Sequence, residues 1–323
     1  VGFDFGTSGA RVNVVDSADL KEVHTAEVKY RVQEVAEWIE SLHEMLDGIP
    51  ADFKKSVIRI AISGTSGSVI TYDKITSQSI RGVRLYDFCT LADAPCGAEA
   101  MRLIAEYSPP GSTVRSSTST LGKVIAWQLE HPLAPNEAIC HQADFLALSL
   151  SECGSPARTD WNNALKIGFD VERLCYPEWL LAILERVGLP SACLPAAARP
   201  GERLGRVGAR VAERFGLPPD CQVVAGTTDS IAAFVAARVA TPGQAVTSLG
   251  STLALKLLST ARVDNADFGV YSHRLGGGDW DRPVWLVGGA SNVGCAVLAR
   301  EGLCGAELEA LSRGMDPDQD PPP

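Results

Sequence analysis

The chain has 323 residues, 46 % hydrophobic and 21 % charged, which is ordinary for a globular protein with room for two cores. Its net charge of −10 at pH 7 argues against a general nucleic-acid binder, because such proteins usually present a basic face. No apolar run approaches the roughly 20 residues of a membrane span, so we expect no membrane partner.

Cysteines and histidines are scattered along the chain, nine of the first and five of the second. No C-x-x-C pair and no H-E-x-x-H spacing occurs, so the usual zinc patterns are excluded. An odd number of dispersed cysteines predicts reduced thiols and an intracellular protein. A metal held by protein side chains alone is not expected, whereas a metal that arrives with a substrate stays open.

The first half of the chain predicts two strand pairs and a series of helices. Residues 1–16 predict a strand, a glycine turn and a second strand that turns Val12 and Val14 to one side. Residues 29–47 have apolar side chains at helical spacing and predict an amphipathic helix. Residues 57–73 repeat the strand, glycine turn, strand pattern. Further helices are predicted near 97–107, 119–130, 142–151, 177–187 and 206–216.

The second half returns to strands. CQVVAGTTDS (221–230) predicts a buried strand and a turn, and SIAAFVAARV predicts the helix that follows. GQAVTSLGSTLALKLLS (243–259) predicts two strands around a Leu-Gly-Ser-Thr turn. GVYSHRL then pairs with PVWLVGG as a hairpin, and GGASNVGCAVLAREG turns into a helix.

Two similar turns indicate a duplicated architecture. Phe5-Gly6-Thr7-Ser8 lies between strands near the start, and Leu249-Gly250-Ser251-Thr252 lies between strands in the second half. We therefore expect an α/β chain of two domains facing each other, with the boundary in the Pro218–Cys221 loop. The predicted domains are residues 1–220 and 221–323.

The stretch AGTTDSIAAF (225–234) places the carboxylate of Asp229 among hydroxyl residues at the start of a predicted helix. One interpretation is structural, with Asp229 or Ser230 as the N-cap that accepts hydrogen bonds from free backbone N–H groups. The other is chemical, with a carboxylate at a strand-to-helix turn accepting a proton from a bound hydroxyl. Near a helix N-terminus we expect the carboxylate to stay ionised at neutral pH and to be a weak base.

The stretch DFGTSGAR (4–11) is the candidate phosphate site. Its glycines let the backbone approach a ligand closely, and turn N–H groups with the hydroxyls of Thr7 and Ser8 can form a nest for phosphate oxygens. Asp4 would repel a phosphate, so its expected role is that of an outer ligand, through water, of a nucleotide-bound Mg²⁺. A plain hairpin turn is the alternative. The P-loop string G-x-x-x-x-G-K-[S/T] does not occur.

Eight stretches together resemble the FGGY carbohydrate kinases, and within them the D-ribulose kinase (xylulokinase-like) group of plants and cyanobacteria. The stretches are DFGTSGAR, GTSGSV (64–69), QADFLAL (142–148), DWNNALKIGF (160–169), AGTTDSIAAF, GQAVTSLGSTLALKLLS, YSHRLGG (271–277) and GGASNVG (288–294). The resemblance implies two ribonuclease-H-like domains of the actin-like ATPase type, with the sugar in the cleft between them. It also implies ATP as the phosphoryl donor, Mg²⁺, and a small ketose as the partner, in the cytoplasm or the chloroplast stroma.

The resemblance assigns a role to each matching residue. Asp229 is similar to the catalytic base that deprotonates the sugar hydroxyl, Asp4 to the residue near Mg²⁺, and Thr7 to a contact of the transferred phosphate. Polar positions that hold the ketose are matched by Ser8, Ser66 and Ser230, beside Asp229 itself. The turn that receives the ATP phosphates is matched by Gly250, Ser251 and Thr252, together with Gly6 in the first turn.

The chain departs from the family pattern at its end, because members of the family continue with a glycine-rich adenine-binding segment. The second domain is therefore expected to be incomplete here, and turnover by these 323 residues alone is expected to be poor. The leading prediction is an ATP-dependent kinase that converts D-ribulose to D-ribulose 5-phosphate. The alternatives are a xylulokinase and a non-catalytic relative that binds sugar or nucleotide, because a fold alone does not determine activity.

Overall fold

A computed structural model describes residues 1–87, 95–249, 253–265, 268–275, 283–291, 294–303 and 305–315. Its strands are β1 (Gly2–Phe5), β2 (Gly9–Val15), β3 (Glu22–Lys29), β4 (Arg59–Gly64), β5 (Val69–Asp73), β6 (Glu137–His141), β7 (Arg158–Asp160), β8 (Ala196–Ala198), β9 (Arg203–Arg206), β10 (Gln222–Val224), β11 (Ala245–Leu249), β12 (Leu253–Ser259), β13 (Tyr271–Leu275) and β14 (Val284–Ser291). Its helices are α1 (Val35–Gly48), α2 (Ala51–Lys54), α3 (Pro95–Tyr107), α4 (Thr120–Glu130), α5 (Gln142–Leu150), α6 (Trp161–Ala164), α7 (Glu178–Arg186), α8 (Ala209–Phe215), α9 (Asp229–Ala236), α10 (Ala296–Arg300) and α11 (Gly305–Gly314).

A six-stranded sheet in the order β3-β2-β1-β4-β10-β9 forms the centre of the first part of the chain. Strands β1 and β2 are antiparallel neighbours around the first glycine turn, as the sequence predicts. β1, β4 and β10 run parallel to one another, so their carboxyl ends meet at one edge of the sheet. Val12 and Val14 face the core while Val15 is exposed, because successive side chains of a strand point to opposite faces.

Residues 29–34 are not helical, which corrects the predicted helix over 29–47. Strand β3 ends at Lys29, pairs with β2 in antiparallel register, and α1 begins only at Val35. EVHTAEVK (22–29) alternates partly buried and exposed positions, a period of two that fits a strand and not a helix. On α1 itself the predicted stripe holds, with Leu42 and Leu46 fully buried in the core.

The strand pattern in residues 57–73 is confirmed, although its two strands do not pair with each other. β4 lies in the central sheet, whereas β5 pairs with β6 in a separate two-stranded sheet. The Gly64–Ser68 turn between them therefore joins two layers of the molecule. A second hydrophobic core lies on the far side of β5, built from apolar residues of α3, α4 and α7.

The second part of the chain forms a four-stranded antiparallel sheet in the order β11-β12-β14-β13. The predicted pairing of GVYSHRL with PVWLVGG is confirmed by the β13–β14 ladder. Strand β10 lies after the expected boundary at residue 220 and yet pairs with β4 and β9 of the first sheet. We therefore propose a boundary after α9, at about residue 236, in place of one in the Pro218–Cys221 loop.

Aromatic packing joins the second sheet to the first part of the chain. Trp285 of β14 packs in one buried cluster with Trp161 and Phe169, and the Trp161 indole N–H donates to the carbonyl of Arg274 at 3.0 Å. Among the described residues, no helix combines the length and the apolar character needed to cross a membrane.

Candidate active site

Thr228 is the N-cap of α9. It has extended backbone angles, φ −72° and ψ 150°, and its hydroxyl accepts a hydrogen bond from the backbone N–H of Ile231 at 3.4 Å. Asp229 is the first helical residue, and its Oδ1 accepts from the backbone N–H of Ser230 at 2.6 Å. The interpretation of Asp229 or Ser230 as the N-cap is therefore wrong, since Thr228 occupies that position.

Close backbone contacts fix the approach to Asp229. A Cβ atom on Gly226 would lie 1.8 Å from the carbonyl oxygen of Ile62, so only glycine fits against β4 there. The backbone N–H of Gly64 donates to the carbonyl of Thr227 at 3.2 Å. The side-chain amide of Asn162 donates to the hydroxyl of the same threonine at 3.1 Å. The turn that precedes Asp229 is thus fixed by β4 on one side and by Asn162 on the other.

Asp229 shares a cavity of about 280 Å³ with the first glycine turn. The other residues that line this cavity are Asp4, Gly6, Thr7, Ser8, Gly9, Ala10, Arg11, Glu27, Val28 and Lys29. The turn is closed by a hydrogen bond from the N–H of Gly6 to the carbonyl of Gly9 at 3.0 Å, and the side chains of Thr7 and Ser8 are exposed. The parallel arrangement of β1 and β10 produces this meeting, because both strands end at the same edge of the sheet.

The two carboxylates of the cavity are electrostatically coupled. Burial, and to a smaller extent the charge of Asp4, raise the pKa of Asp229, whereas the Ser230 N–H and the charge of Lys256 lower it; the net pKa is about 6. Burial also raises the pKa of Asp4, against the charge of Arg11. The helix N-terminus was expected to control the ionisation of Asp229. This expectation is wrong, because burial raises the pKa of the carboxylate more than the helix end lowers it. The carboxylate is still mostly ionised at pH 7, and it is a stronger base than a surface aspartate.

The residues of the cavity fit a divalent cation that enters with a nucleotide. Asp4 Oδ1 is buried and has no hydrogen-bond partner, and a second carboxylate faces the same space. Carboxylate oxygens are the ligands that Mg²⁺ prefers, usually one or two of them with water and phosphate oxygens. In the described part of the chain, no three His, Cys, Asp or Glu side chains are grouped to hold a metal by themselves. Asp4 would therefore hold such an ion as one ligand among others.

The remaining predicted residues divide into three cases. Ser66 lies in the turn after β4, with its hydroxyl buried and without a hydrogen-bond partner, and does not line the 280 Å³ cavity. Ser230 is exposed, and its carbonyl accepts a hydrogen bond from the Lys256 ammonium at 2.6 Å. The predicted phosphate turn Gly250–Thr252 lies outside the described residues.

Two buried polar side chains support the turn that carries Ser66. Gln142 Oε1 accepts from the backbone N–H of Thr65 at 2.8 Å and from its hydroxyl at 2.9 Å. The Lys123 ammonium donates to the carbonyl of Gly67 at 2.8 Å, and burial lowers the pKa of this lysine to about 7. Both side chains are fully buried, so they shape the turn from behind.

Sequence reasoning assigned no role to Arg11, Glu27, Lys29 and Lys256. Arg11 and Glu27 are opposite each other on β2 and β3, and Lys29 is opposite Gly9. The period-two pattern of residues 22–29 was the available signal, because it predicts strand β3. Pairing of this strand with β2 places Glu27 and Lys29 beside the first glycine turn. The position of Lys256 depends on how the second sheet packs against α9, for which no local pattern exists.

Comparison with known proteins matches most of the chain to one protein family. The model of the FGGY family of carbohydrate kinases, N-terminal domain, matches residues 1–236. A xylulose kinase of Lactococcus lactis is 22 % identical over 307 residues, which cover 90 % of this chain and 60 % of the relative.

Solved structures agree with this match. A ligand-bound xylulose kinase from Lactobacillus acidophilus has a TM-score of 0.73 at 14 % identity, covering 98 % of this chain and 65 % of that one. Plasmodium falciparum glycerol kinase with ADP has a TM-score of 0.76 at 17 % identity, covering 96 % and 65 %. A Brucella ovis kinase of xylulose type has a TM-score of 0.77 at 18 % identity, covering 97 % and 65 %.

The chain spans about two thirds of the length of these solved kinases and 60 % of the curated xylulose kinase. The likeness confirms the expected α/β fold with ribonuclease-H-like domains of the actin-like ATPase type. By the family match over residues 1–236, the chain belongs to the FGGY family of carbohydrate kinases.

Proposed function

We propose that this protein is an ATP-dependent kinase that phosphorylates a hydroxyl of a ketopentose, converting D-ribulose to D-ribulose 5-phosphate. One observation carries the proposal: Asp229 lies in one cavity with Asp4 and a hydroxyl-rich glycine turn, and the N-cap of α9 is a different residue, Thr228. This set combines a proton acceptor, a carboxylate suited to a cation, and backbone donors suited to phosphate. Family membership supports the same reaction class.

Asp229 acts as the general base in this proposal. Its carboxylate accepts the proton of the sugar hydroxyl while the hydroxyl oxygen bonds to the γ-phosphorus of ATP and ADP leaves. Phosphoryl transfer demands positioning and charge stabilisation and little covalent work from the protein, so a base with a pKa of about 6 suffices. The hydroxyls of Ser8, Ser66 and Ser230 are proposed to orient the ketose.

Asp4, Gly6 and Thr7 form the phosphate side of the proposed site. The turn exposes Thr7 and Ser8 beside Asp4, so phosphate oxygens can approach its N–H groups and hydroxyls. A Mg²⁺ ion bound to ATP would neutralise phosphate charge, and Asp4 would hold it through water. Gly250, Ser251 and Thr252 are proposed to contribute the phosphate contacts of the second turn.

D-xylulose is the second candidate substrate. The curated relative is named a xylulose kinase, and several of the matching solved structures have the same description. D-ribulose and D-xylulose differ at one stereocentre, so discrimination depends on which side chains meet that hydroxyl. We propose D-ribulose because eight stretches resemble the D-ribulose kinase group.

The test is a panel of ketoses and polyols with ATP and Mg²⁺, with ADP release as the readout. The assay uses this chain and, in parallel, the longest open reading frame that contains it. D-ribulose is expected to have the highest kcat/KM. A higher value for D-xylulose would favour the second candidate, and the absence of sugar-dependent ADP release from the open reading frame would contradict the kinase proposal.

The first prediction concerns the base. Asp229→Asn is expected to lower kcat by about 10²- to 10⁴-fold, the usual contribution of a positioned general base. Sugar affinity should change much less, because the amide still hydrogen-bonds a hydroxyl. Asp220→Asn, the same change at an exposed position before β10, is the matched control and should keep wild-type kcat. Near wild-type turnover in Asp229→Asn would remove the base from the mechanism.

A further inference from the structure

Lys256 connects the second sheet to the first turn of α9. Its ammonium donates to the carbonyl of Ser230 at 2.6 Å, one residue beyond Asp229. On the same face of β12, Leu258 packs in a buried cluster with Ile231 and Phe234 of α9. The packing of Leu258 holds β12 against the helix, and Lys256, two residues earlier, therefore reaches the helix N-terminus.

A lysine at this place is electrostatically unusual. The N-terminus of a helix carries a partial positive charge, which disfavours a nearby cation unless anions compensate. The compensating anion here is Asp229. Burial lowers the pKa of Lys256 and the charge of Asp229 partly opposes this, so that the net pKa is about 8. The lysine and the aspartate therefore stabilise each other's charged forms at a half-buried position.

Several groups from different elements act electrostatically together with Asp229. Asp4 on β1 disfavours its charge, and Lys256 on β12 favours it. Tyr86, after β5, and Tyr271 on β13 are uncharged at neutral pH; burial raises the pKa of both, and the Asp229 carboxylate adds to the rise. Lys256 is thus the cation that, together with the Ser230 N–H, partly opposes the effect of burial and of Asp4 on the pKa of Asp229.

We propose that Lys256 is a positioning residue for the base: its hydrogen bond to the Ser230 carbonyl ties the first turn of α9 to the second sheet and brings its ammonium charge near the Asp229 carboxylate. This inference rests on the proposed function of Asp229. It goes beyond it by assigning part of the competence of the base to a side chain of the second sheet. The charge of Lys256 acts on Asp229 through space, and the Ser230 carbonyl, which accepts a hydrogen bond from the lysine, is the structural link.

The test measures the ionisation of Asp229 in the ligand-free chain by NMR of ¹³Cγ-labelled aspartate, with the signal assigned by its loss in Asp229→Asn. Lys256→Met removes the charge and keeps the length, and should move the Asp229 midpoint upward by about one pH unit. Lys256→Arg keeps the charge and should stay near wild type. Lys166→Met is the matched control, because burial also lowers the pKa of Lys166 but its charge acts on His273 and not on Asp229. It should leave the midpoint unchanged.

A reciprocal measurement keeps the inference testable if Lys256→Met does not fold. In Asp229→Asn the Lys256 ammonium, followed by ¹⁵Nζ NMR, should titrate at a lower pH than in wild type, because the favourable charge is gone. An unchanged Asp229 midpoint in Lys256→Met, an equal shift in Lys166→Met, or an unchanged Lys256 midpoint in Asp229→Asn would overturn the inference.

The outcomes separate this inference from the proposed function. An inactive Asp229→Asn enzyme without coupling between the two midpoints contradicts only the role of Lys256. If the midpoints of Asp229 and Lys256 are coupled but Asp229→Asn retains turnover, Asp229 is not the general base. The positioning role of Lys256 then has no function to support.

Discussion

Asp229 and Thr228 are neighbours with separate tasks, and the separation is visible in their hydrogen bonds. The Thr228 hydroxyl accepts from the backbone of α9, while the Asp229 carboxylate reaches only the adjacent N–H and the cavity. The N-cap position and the proposed chemistry therefore belong to different side chains. Each residue can be replaced to test one task.

Thr228→Ala is expected to destabilise the fold by about 1 kcal/mol, the usual contribution of an N-cap. Asp229→Asn should not lower stability at pH 7. The pKa of Asp229 in the fold, about 6, exceeds the unfolded value of about 3.9, so wild type loses stability as pH rises between those values. The melting temperature of Asp229→Asn minus that of wild type should be near zero at pH 4 and positive at pH 7. A melting temperature below wild type at both values would return a structural role to the carboxylate.

The pH dependence of the reaction follows from the same carboxylate. Protonated Asp229 cannot accept the sugar proton, so kcat/KM should fall as pH decreases through about 6. The measurement is a pH–rate profile at saturating ATP, with circular dichroism at each pH to exclude unfolding. An acid limb near pH 4, the range of a surface carboxylate, would show that burial does not tune this base.

At the scale of elements, the approach of β10 to β4 sets the position of the base. Their parallel pairing ends in the Gly226 contact with Ile62, and the chain then turns directly into α9. β1 and β10 lie on either side of β4 and both run parallel to it, so their carboxyl ends lie at the same edge of the sheet. Two distant stretches of sequence thereby form one cavity.

Gly226→Ala is expected to destabilise the protein by about 3 kcal/mol or more, because a methyl group placed against a backbone carbonyl forces two strands apart. Urea denaturation gives the free energy of unfolding. Gly48→Ala, at the end of α1, is the control, since its new methyl meets no atom within 4 Å and alanine favours a helix. Equal stability of both variants would mean that β10 does not depend on this contact.

At the scale of the whole molecule, the second sheet packs on the first part through an aromatic cluster around Trp285, in addition to the contact of Leu258 with α9. Trp285 is buried in this cluster, and Arg274 of β13 donates to the carbonyl of Val171 at 2.8 Å. The relative placement of the two parts brings Lys256 to Asp229. Weakening the aromatic cluster should therefore loosen the second sheet before the first.

Trp285→Ala is expected to cost about 3–5 kcal/mol, the usual loss for a buried tryptophan. Hydrogen–deuterium exchange should accelerate in β12–β14 more than in β1 and β4, which belong to the other core. Phe268→Ala is the control, because Phe268 is 81 % exposed and should leave both stability and exchange unchanged. Uniform acceleration across the whole chain would show that the two parts unfold as one unit.

The sequence by itself determined the features that have a local cause. Glycine turns between apolar strands, the helix stripe of α1 and the strand-to-helix turn at Asp229 follow from spacing and residue type, and the resemblance in eight stretches indicated the family. Backbone geometry restricts a short apolar run bounded by glycine to few conformations, so such elements are readable without the fold.

Tertiary structure alone decided the rest. It assigned the cap to Thr228, brought Asp4 to Asp229, placed β10 in the first sheet, and carried Lys256 to the helix end. It also raised the pKa of Asp229, which no residue adjacent in sequence does. The physical reason is that burial, charge coupling and strand order depend on residues far apart in the chain, whereas periodicity and turn chemistry report only on neighbours.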